Sequence, residues 1–396
     1  MDMFKGLTSI LYNPLAKTQQ ASHPGSVLRK SSRRKYIMDS PHQFPLQHPA
    51  QYSQSYQPQP HPYASSFQVE HFGIRRSPSG FSRPSSRSSP PADLPPEYSA
   101  FSASPSGREN LRDTARATQN VLPPLLAKLN RTDDARRSSK HTLSSPLRLD
   151  PSQCPRLAQP ARILVVNDDT LNAAIKHCPA SVPHPAVINF ADRERPGGGW
   201  LNGAMAQEES LCYRSSLSVS LETSRRVGHY PLSGTEAEAL YAPWVVVLRG
   251  DLATGHRLLL NAAGPTGDIV DVRDLPVLSV LTVPAIKRPR LRKVGNLDGG
   301  WKWVFQRDRD RNLTKDKMRL VLRMAAAYGH KHLVLGALGC GVYANPPEDV
   351  AWCWLEVLRE DEFRGNWWKT VVFAVYDPKN EGNFEIFNRV LGGQRV

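Results

Sequence analysis

Glu208 and Glu209 stand side by side behind Gln207, and seven residues separate that triplet from three consecutive glycines, Gly197, Gly198 and Gly199, in the stretch PGGGWLNGAMAQEE (196–209). Glycine permits backbone angles and close approaches that a Cβ forbids, and a run of three costs stability unless something presses against the main chain. A phosphate group is the usual visitor, and adjacent carboxylates would put an acid next to it. The plainer alternatives are a tight turn for the glycines and, for the glutamates, acids favoured by a helix dipole.

A second stretch, LVLGALGCGVYANPPEDVA (333–351), has the same grammar. A buried strand runs into Gly336, Gly339 and Gly341, with Cys340 and Val342 between and after them, then Tyr343, Asn345 and a proline-opened helix. A strand, a glycine loop and a helix N-terminus form the arrangement in which phosphate oxygens meet free amides. Two such junctions suit a diphosphate gripped from both sides, beyond the carboxyl ends of a parallel sheet. Tyr343 is placed to stack on or orient a sugar, or simply to fill the core.

The elements that must position these residues alternate. Strands are expected at ARILVVN (161–167), PAVINFA (185–191), PWVVVLRG (243–250), VLSVLTVPA (277–285), HLVLGAL (332–338) and KTVVFAVY (369–376). Helices are expected at 108–129, ended by Pro123–Pro124, and over TLNAAIKHC, EESLCYRSSLSVSLE (208–222), TKDKMRLVLRMAAAYGH (314–330, Thr314 as N-cap), EDVAWCWLEVLRE and NFEIFNRVL. Residues 130–158 and the charged segment 286–312 read as loops. The alternation predicts an α/β domain with a largely parallel sheet.

The chain has 396 residues and a formal net charge of +15. Residues 1–155 carry 20 Lys/Arg against 10 Asp/Glu, so the basic excess sits mainly in front. Residues 1–104, rich in Ser, Pro and Gln, lack the aliphatic content to offset ordering entropy and read as a disordered tail. Its charge suits an acidic partner, and RKSSRRK (29–35) is compatible with a nuclear address. Five cysteines at irregular spacing argue against a disulfide framework or a zinc site. No apolar run approaches the roughly 18–20 residues of a membrane span. Neither a membrane partner nor a metal is expected, and no cofactor is called for. A secretory signal is lacking, so the cytoplasm or nucleus is expected, with a weak mitochondrial alternative.

The GGG–seven residues–QEE run resembles the signature of the bacterial-type (microbial) poly(ADP-ribose) glycohydrolases. VINFA, SLCYRSSL, HYPL, VLSVLTVPA and LVLGALGCGVYANPP are also similar to that family, over roughly 105–395. The resemblance implies a macrodomain-like three-layer α/β/α sandwich over 105–396 that binds ADP-ribose and hydrolyses the ribose–ribose bond of poly(ADP-ribose). By position it implies Glu209 as catalytic acid and Glu208 as holder of the terminal ribose. It further implies substrate contacts from Asn189, Gln207, Gly197–Gly199, Gly339–Val342 and Tyr343. A proton on the leaving oxygen and stabilisation of an oxocarbenium ion are what such a reaction needs, and one glutamate supplies both. The implied partner is poly(ADP-ribose) or an ADP-ribosylated protein, met by a monomer. The chain departs from the family at ADRERP (191–196), at IKRPRLRK (286–293) and at Ala117, which leaves a non-hydrolytic ADP-ribose reader as the alternative. A nucleic-acid-binding protein using its basic tail is the third reading.

Overall fold

A computed structural model describes residues 105–396, except 145–146, 148, 262–270 and 296–299. The tail assigned to 1–104 lies outside the described residues. Helix α1 (Pro105–Leu129) leads into the short α2 (Thr132–Arg136) and strand β1 (Ser139–Thr142). Then come β2 (Ile163–Val166), α3 (Thr170–His177), β3 (Ala186–Phe190), α4 (Gln207–Arg214), α5 (Leu217–Arg226), β4 (Glu238–Val246) and β5 (Val277–Val283). The chain continues through β6 (Leu291–Gly295), β7 (Trp301–Phe305), α6 (Asp308–Ala327), β8 (His332–Gly336), α7 (Pro347–Leu358), β9 (Thr370–Ala374) and α8 (Asn383–Leu391).

Seven strands form one sheet in the order β1-β4-β5-β3-β8-β9-β2. The five from β5 to β2 run parallel, and β4 and β1 extend the edge antiparallel. Side chains alternate across it with period two. Ile163, Val165, Ile188, Leu281, Val283, Leu333, Leu335 and Phe373 join the core with α6, α7 and α8, while Val187, Val280, Val334 and Val372 face α1, α3, α4 and α5. Apolar residues on both faces of one sheet make the expected three-layer α/β/α sandwich. The C-terminal ends of β3 and β8 are adjacent, and both glycine loops leave from them.

Several local expectations need correction. Pro123 and Pro124 do not end α1, which runs on to Leu129. An interior proline costs about 3 kcal/mol. Leu122, Leu125 and Leu126 are all buried against Val246, Leu248 and Leu275, and burial of each leucine returns about 1.5–3 kcal/mol.

The single helix expected over 208–222 is two, broken where Ser215 takes an extended conformation. Ser215 bridges to Val247, its hydroxyl donates to Leu211 O at 2.7 Å, and Ser216 exchanges hydrogen bonds with Val246. Serine side chains that satisfy backbone groups locally compete with the helix ladder, and here they win.

Segment 130–158 holds α2 and β1, and 286–312 holds the β6–β7 hairpin and the start of α6. Thr314 is consequently no cap. It lies buried inside α6, its hydroxyl donating to Asp310 O at 2.9 Å. Finally, the strand expected at 243–250 begins earlier, at Glu238, with a register shift between Ala242 and Val245 around Pro243, which has no N–H to give the ladder.

Two buried devices steady the sheet ends beneath the glycine loops. Trp354 of α7, fully buried edge-on to Phe373, donates its indole N–H to Gly336 O at 3.0 Å, where β8 stops. On the other face Arg214 ends α4 in a 2.6 Å ion pair with Asp169, which also caps α3 by accepting from the amides of Leu171 and Asn172. Trp354→Phe replaces the indole with a smaller ring and leaves Gly336 O with Leu338 N (3.0 Å) as its donor, so a loss of about 1–3 kcal/mol is expected in urea unfolding. An unchanged midpoint would show that the indole hydrogen bond does not hold the end of β8.

Candidate active site

Helix α4 begins directly behind the first glycine loop, so its opening turn lays the QEE side chains back over the end of β3. Gln207 closes the strand, accepting from Phe190 N at 2.8 Å and donating to Ile188 O at 2.7 Å. Glu208 is 2% exposed, and both of its oxygens are occupied. Asn189 Nδ2 (3.2 Å) and Gly197 N (3.3 Å) donate to Oε1, and Asp192 N (2.7 Å) donates to Oε2. Glu209 accepts from Gly199 N at 2.8 Å through Oε1. Its Oε2 has no protein partner among the described residues, and the residue lines a cavity.

The triple glycine therefore has a different occupant from the one expected. Gly197 and Gly198 hold φ of +73° and +59°, a region that disfavours side chains. A Cβ on Gly198 would collide with Glu209 Oε1, and one on Gly197 would lie 2.9 Å from Trp200 Cδ1. What presses against this main chain is the protein's own pair of carboxylates. The amides of Gly197 and Gly199 face them, and Gly198 N is bonded to Arg195 O. Of the three glycines only Gly199 lines the cavity. The amides expected to meet a diphosphate are thus engaged within the protein in this structure.

The second loop keeps its amides open. Gly339 turns at φ +76°, and Asn345, 1% exposed, staples the loop through Nδ2 to Ile286 O at 2.7 Å and Gly339 O at 3.2 Å. Among the described residues, the N–H groups of Gly341, Val342 and Tyr343 have no acceptor. Three successive amides without acceptors beside a cavity are groups an anion can use. Burial, with the charges of Asp192, Glu208 and Glu209 nearby, pushes the Tyr343 hydroxyl up to about 12, so it stays a neutral phenol.

The cavity occupies about 540 Å³ and reaches from Glu208 and Glu209 to Gly341–Tyr343. A second lobe of about 360 Å³ shares Phe190, Met205, Ala206, Gln207, Gly341 and Val342 with it and extends to Asp168, Asn172 and Tyr376. Together they make a two-lobed cleft with the open amides at its waist. Of the expected site residues, Gln207, Glu208, Glu209, Gly199, Gly339, Gly341, Val342 and Tyr343 line the first lobe, and Cys340 lines the second. Asn189 lies beneath, fully buried, and acts on Glu208 rather than on the cavity.

Sequence reasoning missed Phe190, Met205, Lys287 and Tyr376 as cleft residues. Lys287 sits in the IKRPRLRK stretch that departs from expectation, which was its only signal. Among the described residues no group of three His, Cys, Asp or Glu is placed to hold a metal, and no helix is long and apolar enough to cross a membrane.

The buried Glu208 carboxyl is pushed up to about 8, chiefly by burial. The hydrogen bonds from Asp192 N and Asn189 pull the other way, and the charges of Glu209 and Asp192 add to the rise. Burial thus favours the neutral form of Glu208, against the pull of its three N–H donors, and its hydrogen-bonded seat fixes the carboxyl plane beside Glu209.

Residues 126–250 match the family model of the microbial-type PARG catalytic domain. The chain is also similar to the crystal structure of poly(ADP-ribose) glycohydrolase from Thermomonospora curvata, at 28% identity and a TM-score of 0.55, covering 72% of this chain and 99% of that one. A second structure of that protein, bound to the inhibitor ADP-HPD, aligns at 27% identity and a TM-score of 0.52 over 72% and 98% of the two chains. No curated protein sequence matches the chain.

Two outcomes test the geometry. Gly198→Ala should lower stability by more than the roughly 1 kcal/mol of a backbone preference, because strain and the collision with Glu209 add. Gly341→Ala, where an added Cβ meets nothing within 4 Å, should melt like the parent. Equal melting temperatures for both variants would contradict the packed-carboxylate account. The second outcome concerns pH. A folded pKa above the unfolded one means that the native state holds a proton the unfolded chain releases, so stability falls as pH rises from about 4.5 to about 8. Glu208→Gln should flatten that part of the profile in denaturant titrations at each pH, whatever its absolute offset. A variant with the parent's slope would place the proton elsewhere.

Proposed function

We propose that the chain is a glycohydrolase of the microbial-type poly(ADP-ribose) glycohydrolase family, which hydrolyses the ribose–ribose bond of poly(ADP-ribose) and releases ADP-ribose. The observation that carries this reading is Glu209. One of its oxygens is pinned by Gly199 N, and the other is unpartnered in a cleft whose far wall offers three free amides.

The diphosphate takes the amides of Gly341, Val342 and Tyr343 at the waist of the cleft. Its adenosine then enters the lobe bounded by Asp168, Asn172 and Tyr376, and its distal ribose enters the lobe floored by the glutamates. Tyr343, whose ring lies 5.9 Å from Lys287 Nζ, closes over that ribose. Glu208, hydrogen-bonded on both oxygens and pushed by burial toward its neutral form, orients the sugar and lessens like charge beside its neighbour.

Glu209 passes a proton from Oε2 to the glycosidic oxygen as the bond to the anomeric carbon breaks. The leaving ribose departs as an alcohol, and the carboxylate left behind faces the oxocarbenium ion. Water adds to the anomeric carbon and returns a proton to Glu209, which restores the acid. No metal or redox partner enters the balance.

Glu209→Gln should reduce release of ADP-ribose from purified polymer by roughly three orders of magnitude or more, since general acid catalysis and charge stabilisation are lost together. ADP-ribose affinity, measured by calorimetric titration, should stay within about threefold, because the amide keeps the shape and the waist amides are untouched. Turnover equal to the parent's would remove Glu209 from the mechanism. Binding of ADP-ribose by the parent without any turnover would favour the reader alternative.

A further inference from the structure

Arg108 of α1, Arg195 from the loop after β3 and Lys287 from the segment after β5 all line the first lobe, and all three are exposed. Each stands on a backbone that is held in place. Gly203 packs so closely on the Arg108 carbonyl that a Cβ there would collide with it. Asp192 Oδ1 accepts from Arg195 N at 3.0 Å, and Gly198 N donates to Arg195 O at 2.9 Å. Lys287 lies between Ile286, whose carbonyl accepts from Asn345 Nδ2 at 2.7 Å, and Arg288, whose amide donates to Tyr343 O at 2.8 Å.

Two of these cations converge on Tyr343. Lys287 Nζ is 5.9 Å from its ring centroid, and while burial dominates the Tyr343 hydroxyl, the Arg195 charge is near enough to act against that effect. Arg108 and Lys287 have no acidic partner among the described residues, and Arg195, 69% exposed, makes only a loose 3.4 Å pair with Asp192. Basic side chains elsewhere are paired more closely, as Arg311 is with Glu356 and Arg319 with Glu360. The stretches 191–196 and 286–293, where the chain departs from the glycohydrolase family, thus each deliver one cation to the same lobe.

That lobe already holds Asp192, Glu208 and Glu209, which repel an anion, and the bound unit's diphosphate has the waist amides. In poly(ADP-ribose) the alcohol that leaves from Glu209 is the ribose of a further unit, so a second diphosphate stands one sugar ring from the breaking bond. A side chain carrying a single ADP-ribose has no such group. Guanidinium and ammonium groups are the side chains suited to a diphosphate. We propose that Arg195 and Lys287, with Arg108 in the same lobe, hold the diphosphate of the leaving unit and so select polymer ends over ribose joined to a phosphate-free leaving group. This assignment rests on the glycohydrolase reading for the identity of the bound unit.

The test assays the full 396-residue chain on two substrates that share the bound unit. One is the ADP-ribose dimer, and the other is a synthetic compound whose leaving unit is trimmed to adenosine, joined through its 2′-oxygen. The parent should favour the dimer by roughly tenfold in kcat/KM, mostly through KM, because several cations meet one multiply charged group. At about 1 M salt, where the screening length is about 3 Å, that preference should shrink to roughly twofold. Arg195→Gln/Lys287→Gln should lose most of the preference at low salt, while its affinity for free ADP-ribose stays within about twofold of the parent's.

Equal kcat/KM on the two substrates in the parent overturns the proposal without any variant. So does a preference that survives in the folded double variant. A loss of ADP-ribose affinity as large as the loss on the dimer also overturns it, because the cations would then serve the bound unit. Lys287→Gln alone is the second variant should the double one melt early, with an expected loss of roughly threefold in preference. A parent that binds the dimer more tightly than the trimmed compound, yet cleaves neither, would sink the hydrolase reading and leave the phosphate contact standing. The two failures are therefore distinguishable.

Discussion

Two carboxyl groups buried within one helical turn of each other are expensive, and the architecture of this site follows from meeting that expense. Glu208 is tolerable because Asn189, Asp192 and Gly197 turn N–H groups toward it, and Glu209 because Gly199 does. Three of these four donors are main-chain amides, which can come so close only where a Cβ is missing or the loop curls tightly. The left-handed glycines, the Asp192 side chain that accepts from the amides of Glu194 and Arg195, and the α1 contact with the loop at Gly203 all shape that curl. A missing donor would leave a desolvated acid without compensation.

The same constraint divides labour between the glycine loops. Backbone amides are a limited resource, and those committed to the glutamates are no longer available to a ligand. In the loop after β8, Asn345 takes up carbonyls, and the amides of Gly341 to Tyr343 stay without an acceptor among the described residues. One loop grips the acid, and the other is left with its amides unengaged. Both hang from neighbouring parallel strands, so their separation is set by strand spacing rather than by loop flexibility.

Much of this was legible in the residues. The α/β alternation and the two glycine loops at the ends of β3 and β8 follow from local apolar periodicity and glycine placement, while the choice of Gln207, Glu208, Glu209, Gly339, Gly341 and Tyr343 as site residues came with the family resemblance. What was not legible depended on long-range partners. Pro123 and Pro124 look like a stop signal until Leu125 and Leu126 are seen against Leu248. Ser215 and Ser216 look helical until Val246 and Val247 offer them a strand to pair with. The short strand β1 has no apolar alternation of its own and exists because β4 needs an edge partner. Lys287 and Tyr376 reach the cleft from segments whose sequences carry no motif.

The break at Ser215–Ser216 separates α4 from α5 mechanically. Each added residue in an α-helix rotates everything beyond it by about 100°. Had α4 and α5 formed one rod, any change of length or tilt in the outer half, where Arg225 and Arg226 meet solvent, would have been geared into the glutamates. As built, α4 is an eight-residue stub clamped at its far end by Arg214 and Asp169, and the serine joint absorbs whatever happens beyond it. The chain can therefore drift along α5 without altering the aim of its acids, whereas a single insertion within 207–214 would swing one of them away from the cleft.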